Sequence, residues 1–156
     1  MTLLESTYGR QPYGNRLNDV LLPGETTLRY FAAAFFTLTV LTDWAYVQTM
    51  ILMWKDFSSW LLLAGLVAGG LGVALWLVSL AIYRRRPLWS VVALNTLVLA
   101  AAFVNSLLHA GDGWTYIVPW GIGLSTATFL LILASAVLER RALVWRTGNS
   151  RLGASK

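Results

Sequence analysis

SSWLLLAGLVAGGLGVALWLVSLAIYRRRP, residues 58–87, decides the fold. From Ser58 to Tyr83 there is no charged side chain. About 20 apolar residues in helical form are enough to cross the hydrocarbon of a bilayer. Arg84, Arg85 and Arg86 then end the run. Three guanidinium groups do not sit in hydrocarbon, and Pro87 suits the first turn of a new helix. The stretch therefore reads as one transmembrane helix, a tight turn at a membrane surface, and the start of the next helix.

Working outward, the same criterion finds three more spans. The third runs from about Leu88 to Leu108, and the fourth from about Tyr116 to Leu138, where Glu139, Arg140 and Arg141 stop it. The first begins near Arg29, behind Glu25, Thr26 and Thr27, which offer acceptors to the free N–H groups of a helix start. Its far end has two solutions. Either it continues to Met53, or it stops near Tyr46 and leaves Val47 to Ser58 as an amphipathic external segment. The longer helix is preferred. The expected architecture is all-α: an integral membrane four-helix bundle with spans at about 29–53, 58–83, 88–108 and 116–138. Residues 1–27 form an N-terminal tail, and 140–156 a basic C-terminal tail. The N-terminal residues show no apolar core ahead of a small-residue cleavage site, so the first span is expected to act as an uncleaved anchor.

Composition agrees. Hydrophobic residues make up 57% of the chain and charged ones 12%, against roughly 45–50% and 25% in soluble domains. The net charge of +5 comes from blocks beside apolar spans. Lipid headgroups explain that placement, and nucleic acid is not the expected partner. With four spans, eleven of the twelve basic residues fall on one side, and only Lys55 on the other. Basic loops mark the cytoplasmic side. The expectation is the cell inner membrane, several passes, with both termini in the cytoplasm.

Polar residues within the spans are the candidates for chemistry. Asp43 is the most informative, because a buried ionisable group in a membrane helix is costly and marks function by default. Thr39 and Tyr46 lie one turn to either side of it and offer hydrogen bonds, but no basic partner is evident at its depth. Asn95 and Asn105 lie in the third span and suit hydrogen bonds across helices. His109 ends that span, where an imidazole bonds the last carbonyls, or alternatively contacts a haem or quinone. Gly65, Gly69, Gly72 and Gly123 mark faces where another helix can approach closely. Trp44, Trp54, Trp60, Trp114 and Trp120 fit an aromatic belt.

No cysteine is present, which excludes thiolate metal sites and iron–sulfur clusters. No metal-ligand cluster, phosphate loop or nucleophile–histidine–acid set at one depth is evident, so neither catalysis nor a bound cofactor is expected.

Asp43-Trp44-Ala45-Tyr46, the run Trp60 to Gly69, the basic turn Arg84 to Arg86, Asn95, Asn105 and Gly123-Leu124-Ser125 together resemble a bacterial group, the domain of unknown function 2231. The resemblance covers Thr42 to about Ser135. It implies a four-helix membrane protein, sometimes expected beside redox enzymes, with no established activity. The sequence lacks the family's histidine–proline pair ahead of the first span and a histidine near the end of the last, so haem-type ligands are not carried over. Two functions follow. One is a non-catalytic subunit or anchor that assembles with other membrane proteins. The other is a small oligomeric transporter or channel with Asp43, Asn95 and Asn105 along a polar path.

Overall fold

A computed structural model describes residues 24–83, 87–111 and 117–153. Residues 1–23 of the expected N-terminal tail, the arginine turn at 84–86 and residues 112–116 lie outside the described residues, and Glu25 to Thr27, expected in the tail, already belong to the first helix. Four long helices account for the fold: α1 (Glu25–Thr49), α2 (Leu52–Tyr83), α3 (Trp89–Ala110) and α4 (Ile122–Gly153). All four contain a stretch long and apolar enough to cross a membrane. The described residues contain no strand. α1 packs along α2 and α4, and α3 along α4 and α2, so α1 and α3 lie on a diagonal.

α1 is the least apolar of the four, with a mean hydropathy of 1.2 against 2.0–2.3 for the others. Its polar side chains turn inward: Thr39, Thr42 and Asp43 are all buried. Threonine hydroxyls fold back onto carbonyls of their own helix, Thr37 onto Ala33 at 2.8 Å and Thr39 onto Phe35 at 2.9 Å. In a medium without water, every such group needs a partner inside the protein.

α1 and α2 form the tightest pair, and the glycines explain why. Gly72 lies against Leu28 and the Arg29 backbone, Gly69 against Ala32 and Leu99, and Gly65 against the ring of Phe36. Hydrogen bonds close both ends of this face: Ser79 Oγ donates to Glu25 Oε2 at 2.9 Å, and the Thr42 and Ser58 hydroxyls meet at 2.6 Å. As α1 advances from Glu25 to Thr42, α2 retreats from Ser79 to Ser58, which fixes one antiparallel register. Phe36, Leu62, Val98 and Ala102 form an apolar layer across the middle of the bundle.

The structure corrects three sequence expectations. The first helix does not reach Met53. It ends at Thr49, where Met50 takes a left-handed conformation (φ 52°) and donates its N–H to the Tyr46 carbonyl at 2.7 Å. A left-handed residue closing a helix reverses the chain and satisfies an orphan carbonyl. α2 then starts at Leu52, six residues before Ser58. At the other end of α1, Thr26 and Thr27 do not cap it. Gly24 does, in a left-handed conformation (φ 95°), and Glu25 reaches Ser79 instead. The last helix continues beyond the expected span end at Leu138, through Glu139-Arg140-Arg141, to Gly153. Charges end a membrane span, but they do not break a helix. A single π-helical turn, Ile117–Gly121, leads into α4. It holds Pro119, whose missing N–H favours such an irregularity.

The glycines make a direct test. A Cβ on Gly65 would come within 2.8 Å of Phe36 Cδ1, and that ring is fully buried. A Cβ on Gly70 or Gly123 would meet nothing within 4 Å. Gly65→Ala should destabilise the detergent-solubilised protein by about 1–3 kcal/mol. Gly70→Ala and Gly123→Ala should be neutral, or stabilising by up to about 1 kcal/mol, in the same thermal melts.

Candidate functional site

Four polar side chains from three helices meet at the end of the bundle where α1 and α3 finish and α4 begins. Asp43 comes from α1, Asn105 and His109 from α3, and Ser125 from the first turn of α4. All four are buried to 3% exposure or less. Asp43 Oδ1 lies 2.9 Å from His109 Nε2, and Oδ2 accepts the Ser125 hydroxyl. Asn105 Nδ2 donates to Ser125 Oγ at 2.7 Å. His109 Nδ1 lies 3.0 Å from the Asn105 carbonyl oxygen.

Local geometry places each group. The Cα–Cβ bond of a helical residue tilts toward the helix N-terminus. At the end of α3 that direction points back into the bundle, so His109 reaches inward although its backbone is at the rim. Asn105 stands one turn earlier on the same face. Asp43 is six residues short of the end of α1, about 9 Å at 1.5 Å per residue, which sets it at the level His109 reaches.

The donor pattern fixes most of the protons. A carbonyl only accepts, so His109 Nδ1 carries a hydrogen and donates it to Asn105 O. Asn105 donates to Ser125, and Ser125 to Asp43 Oδ2. One proton then lies between Asp43 Oδ1 and His109 Nε2. Carboxylate with imidazolium and carboxylic acid with imidazole are its two forms. Both are neutral as a pair, which is the condition for keeping ionisable groups out of water.

The expectation that Asp43 lacks a basic partner at its depth is therefore corrected: His109 is that partner. The expected neighbours do not serve it, since Thr39 turns to the Phe35 carbonyl and Asp43's bonds run to other helices. A serine, a histidine and an acid do assemble here, also against expectation. Their order is wrong for nucleophilic catalysis, where the base must touch the serine oxygen. Here the acid stands between the two. Both nitrogens of His109 are engaged, so coordinating a haem iron would first require breaking one of these bonds. Among the described residues no group of three or more potential ligands surrounds a metal position. Asn105 Oδ1 is the one buried side-chain acceptor without a partner among the described residues.

Asn95 is not part of this cluster. It lies ten residues earlier on α3, about 15 Å away along the axis, and accepts a hydrogen bond from Ser135 Oγ at 2.9 Å. The apolar layer of Phe36, Leu62, Val98 and Ala102 lies between the two levels. Ser125 is the residue that sequence reasoning missed. A serine in the first turn of a span carries little signal, because most such hydroxyls bond their own helix.

Four apolar helices around an internal polar cluster define a polytopic helical membrane protein. The chain matches the family model described as predicted membrane protein (DUF2231) over residues 28–150, well over half its length, and it belongs to that family. No curated protein and no solved structure matches it.

The pairing predicts an order of effects. His109→Leu strands Asp43 and should cost about 3–5 kcal/mol. Ser125→Ala leaves two buried groups short of one bond each and should cost about 1–3 kcal/mol. Adding Asp43→Asn to His109→Leu should recover part of the loss. A double-mutant cycle by denaturant unfolding in detergent micelles checks this, and additive effects would contradict a direct pair.

Proposed function

We propose that this protein is a non-catalytic subunit or anchor of a larger membrane assembly. The supporting observation is the hydrogen-bond circuit in which Asp43, His109, Ser125 and Asn105 bond one another across three helices. Their chemistry then serves to lock three helices. The exterior suits partners as well as lipid. Gly70 and Gly123 lie on outward faces with open space beside them, where another backbone can approach closely. A different subunit fits such a face. Membrane placement is proposed as the cell inner membrane with both termini in the cytoplasm, supported by the eleven-to-one distribution of basic residues.

A small oligomeric transporter or channel is the second reading, favoured by the proton shared between Asp43 and His109. The apolar layer between the Asp43 and Asn95 levels counts against a path through one copy.

Extraction in mild detergent, followed by size-exclusion chromatography and mass spectrometry, tests the first reading. The chain should travel with other membrane proteins. A monodisperse homo-oligomer free of other subunits would sink it. Proton flux into vesicles that depends on the chain and disappears in Asp43→Asn would establish the second reading.

A further inference from the structure

A cavity of about 520 Å³ lies at the opposite end of the bundle from the Asp43 cluster. We propose that it binds one membrane amphiphile bearing a carbonyl group, with the apolar body between the helices and the carbonyl accepting hydrogen bonds from Asn95. This goes beyond the subunit reading and does not depend on it.

All four helices contribute to the walls, with Ala33, Phe36, Val73, Val92, Leu99 and Ile132 among the apolar residues. The space exists because the helices are tied differently at the two ends. At the His109 end a hydrogen bond joins the diagonal pair, α1 and α3. At this end the ties run between neighbours: Glu25 to Ser79, Arg29 to Glu139 at 2.7 Å, and Asn95 to Ser135. None of these closes the diagonal between α1 and α3.

The cavity is partly open, and an apolar recess of this size among membrane helices suits an apolar occupant. Ordered water is a poor one, because each molecule needs about two to four polar partners and the walls are mainly apolar. The volume falls within the roughly 300–1,000 Å³ typical of small-molecule sites, which combine apolar walls with a few placed polar groups.

Those polar groups specify the ligand's chemistry. Asn95 Oδ1 accepts from Ser135, which turns the amide so that its two N–H donors have no partner among the described residues. At the rim, Glu25 Oε2 accepts from Ser79 and Glu139 Oε1 from Arg29. The wall thus offers donors to an apolar molecule, and a carbonyl is the matching acceptor. Asn95 lies six residues into α3, about 9 Å from the helix start, so the carbonyl sits below the charged rim of Glu25, Arg29 and Glu139. An acyl ester and a prenylated quinone share this chemistry.

Native mass spectrometry of the full chain in detergent distinguishes the sources. Monoolein serves as the acyl-ester probe, decyl-ubiquinone as the quinone probe, and hexadecane as a probe without a carbonyl. One of the two carbonyl probes should be retained at one per chain. Asn95→Leu should weaken its retention about tenfold, the value of one good hydrogen bond. Ala33→Leu, which fills the cavity and leaves Asn95 in place, should also reduce retention. Gly123→Leu, on the open outer face, should not. Retention of neither carbonyl probe overturns the proposal, as does retention that is equal for hexadecane or unchanged in both Asn95→Leu and Ala33→Leu.

Discussion

Asp43 and His109 hold one proton between them in a bundle whose outer surface is apolar. Their neutrality as a pair lets an acid and an imidazole remain in a place that excludes isolated charge. Much else follows from that bond. It sets α1 against α3 across the diagonal, and through Ser125 and Asn105 it locates the start of α4. α2 is fixed independently, because its glycines press against Leu28, Ala32 and Phe36 of α1. One polar junction and one small-residue face therefore position four helices.

The two ends of the bundle differ for the same reason. Near His109 the polar groups are dry, mutually bonded and drawn to the centre. Near Glu25 they stand at the rim, and the Arg29–Glu139 pair is partly exposed to its surroundings, where ion pairs contribute little, about 0–1 kcal/mol. The centre of that end is left to apolar walls and a single oriented amide. A stiff end and an open end thus share one apolar layer.

The number of helices was legible in the sequence because hydropathy over 20 residues is a strong signal and each span is bounded by charge or glycine. The close face of α2 was legible too, since Gly65 and Gly69 are one helical turn apart. Other features depended on weaker signals. Nothing local marks Met50 as a left-handed residue, a conformation usually taken by glycine or asparagine. The charges at 139–141 read as the end of a span, which is a statement about solvent; they carry no signal for where the helix ends, and its backbone continues to Gly153. Asp43 and Asn105 stood out as polar groups in apolar spans. Their connection did not, because it joins residues 66 and 82 positions from Asp43 and depends on His109 pointing backward along its own helix.

The two-residue link at Met50 and Ile51 bears on how the chain enters a membrane. During synthesis α1 emerges first, and it is the least apolar helix. Its acid must wait for α3 and α4 before its final partners exist. α2 follows almost without interval, is the most apolar span, and presents a glycine face already matched to α1. A helical hairpin that inserts as one body lets α2 carry α1 across. The Thr42–Ser58 hydrogen bond ties this hairpin near its tip, one residue from Asp43.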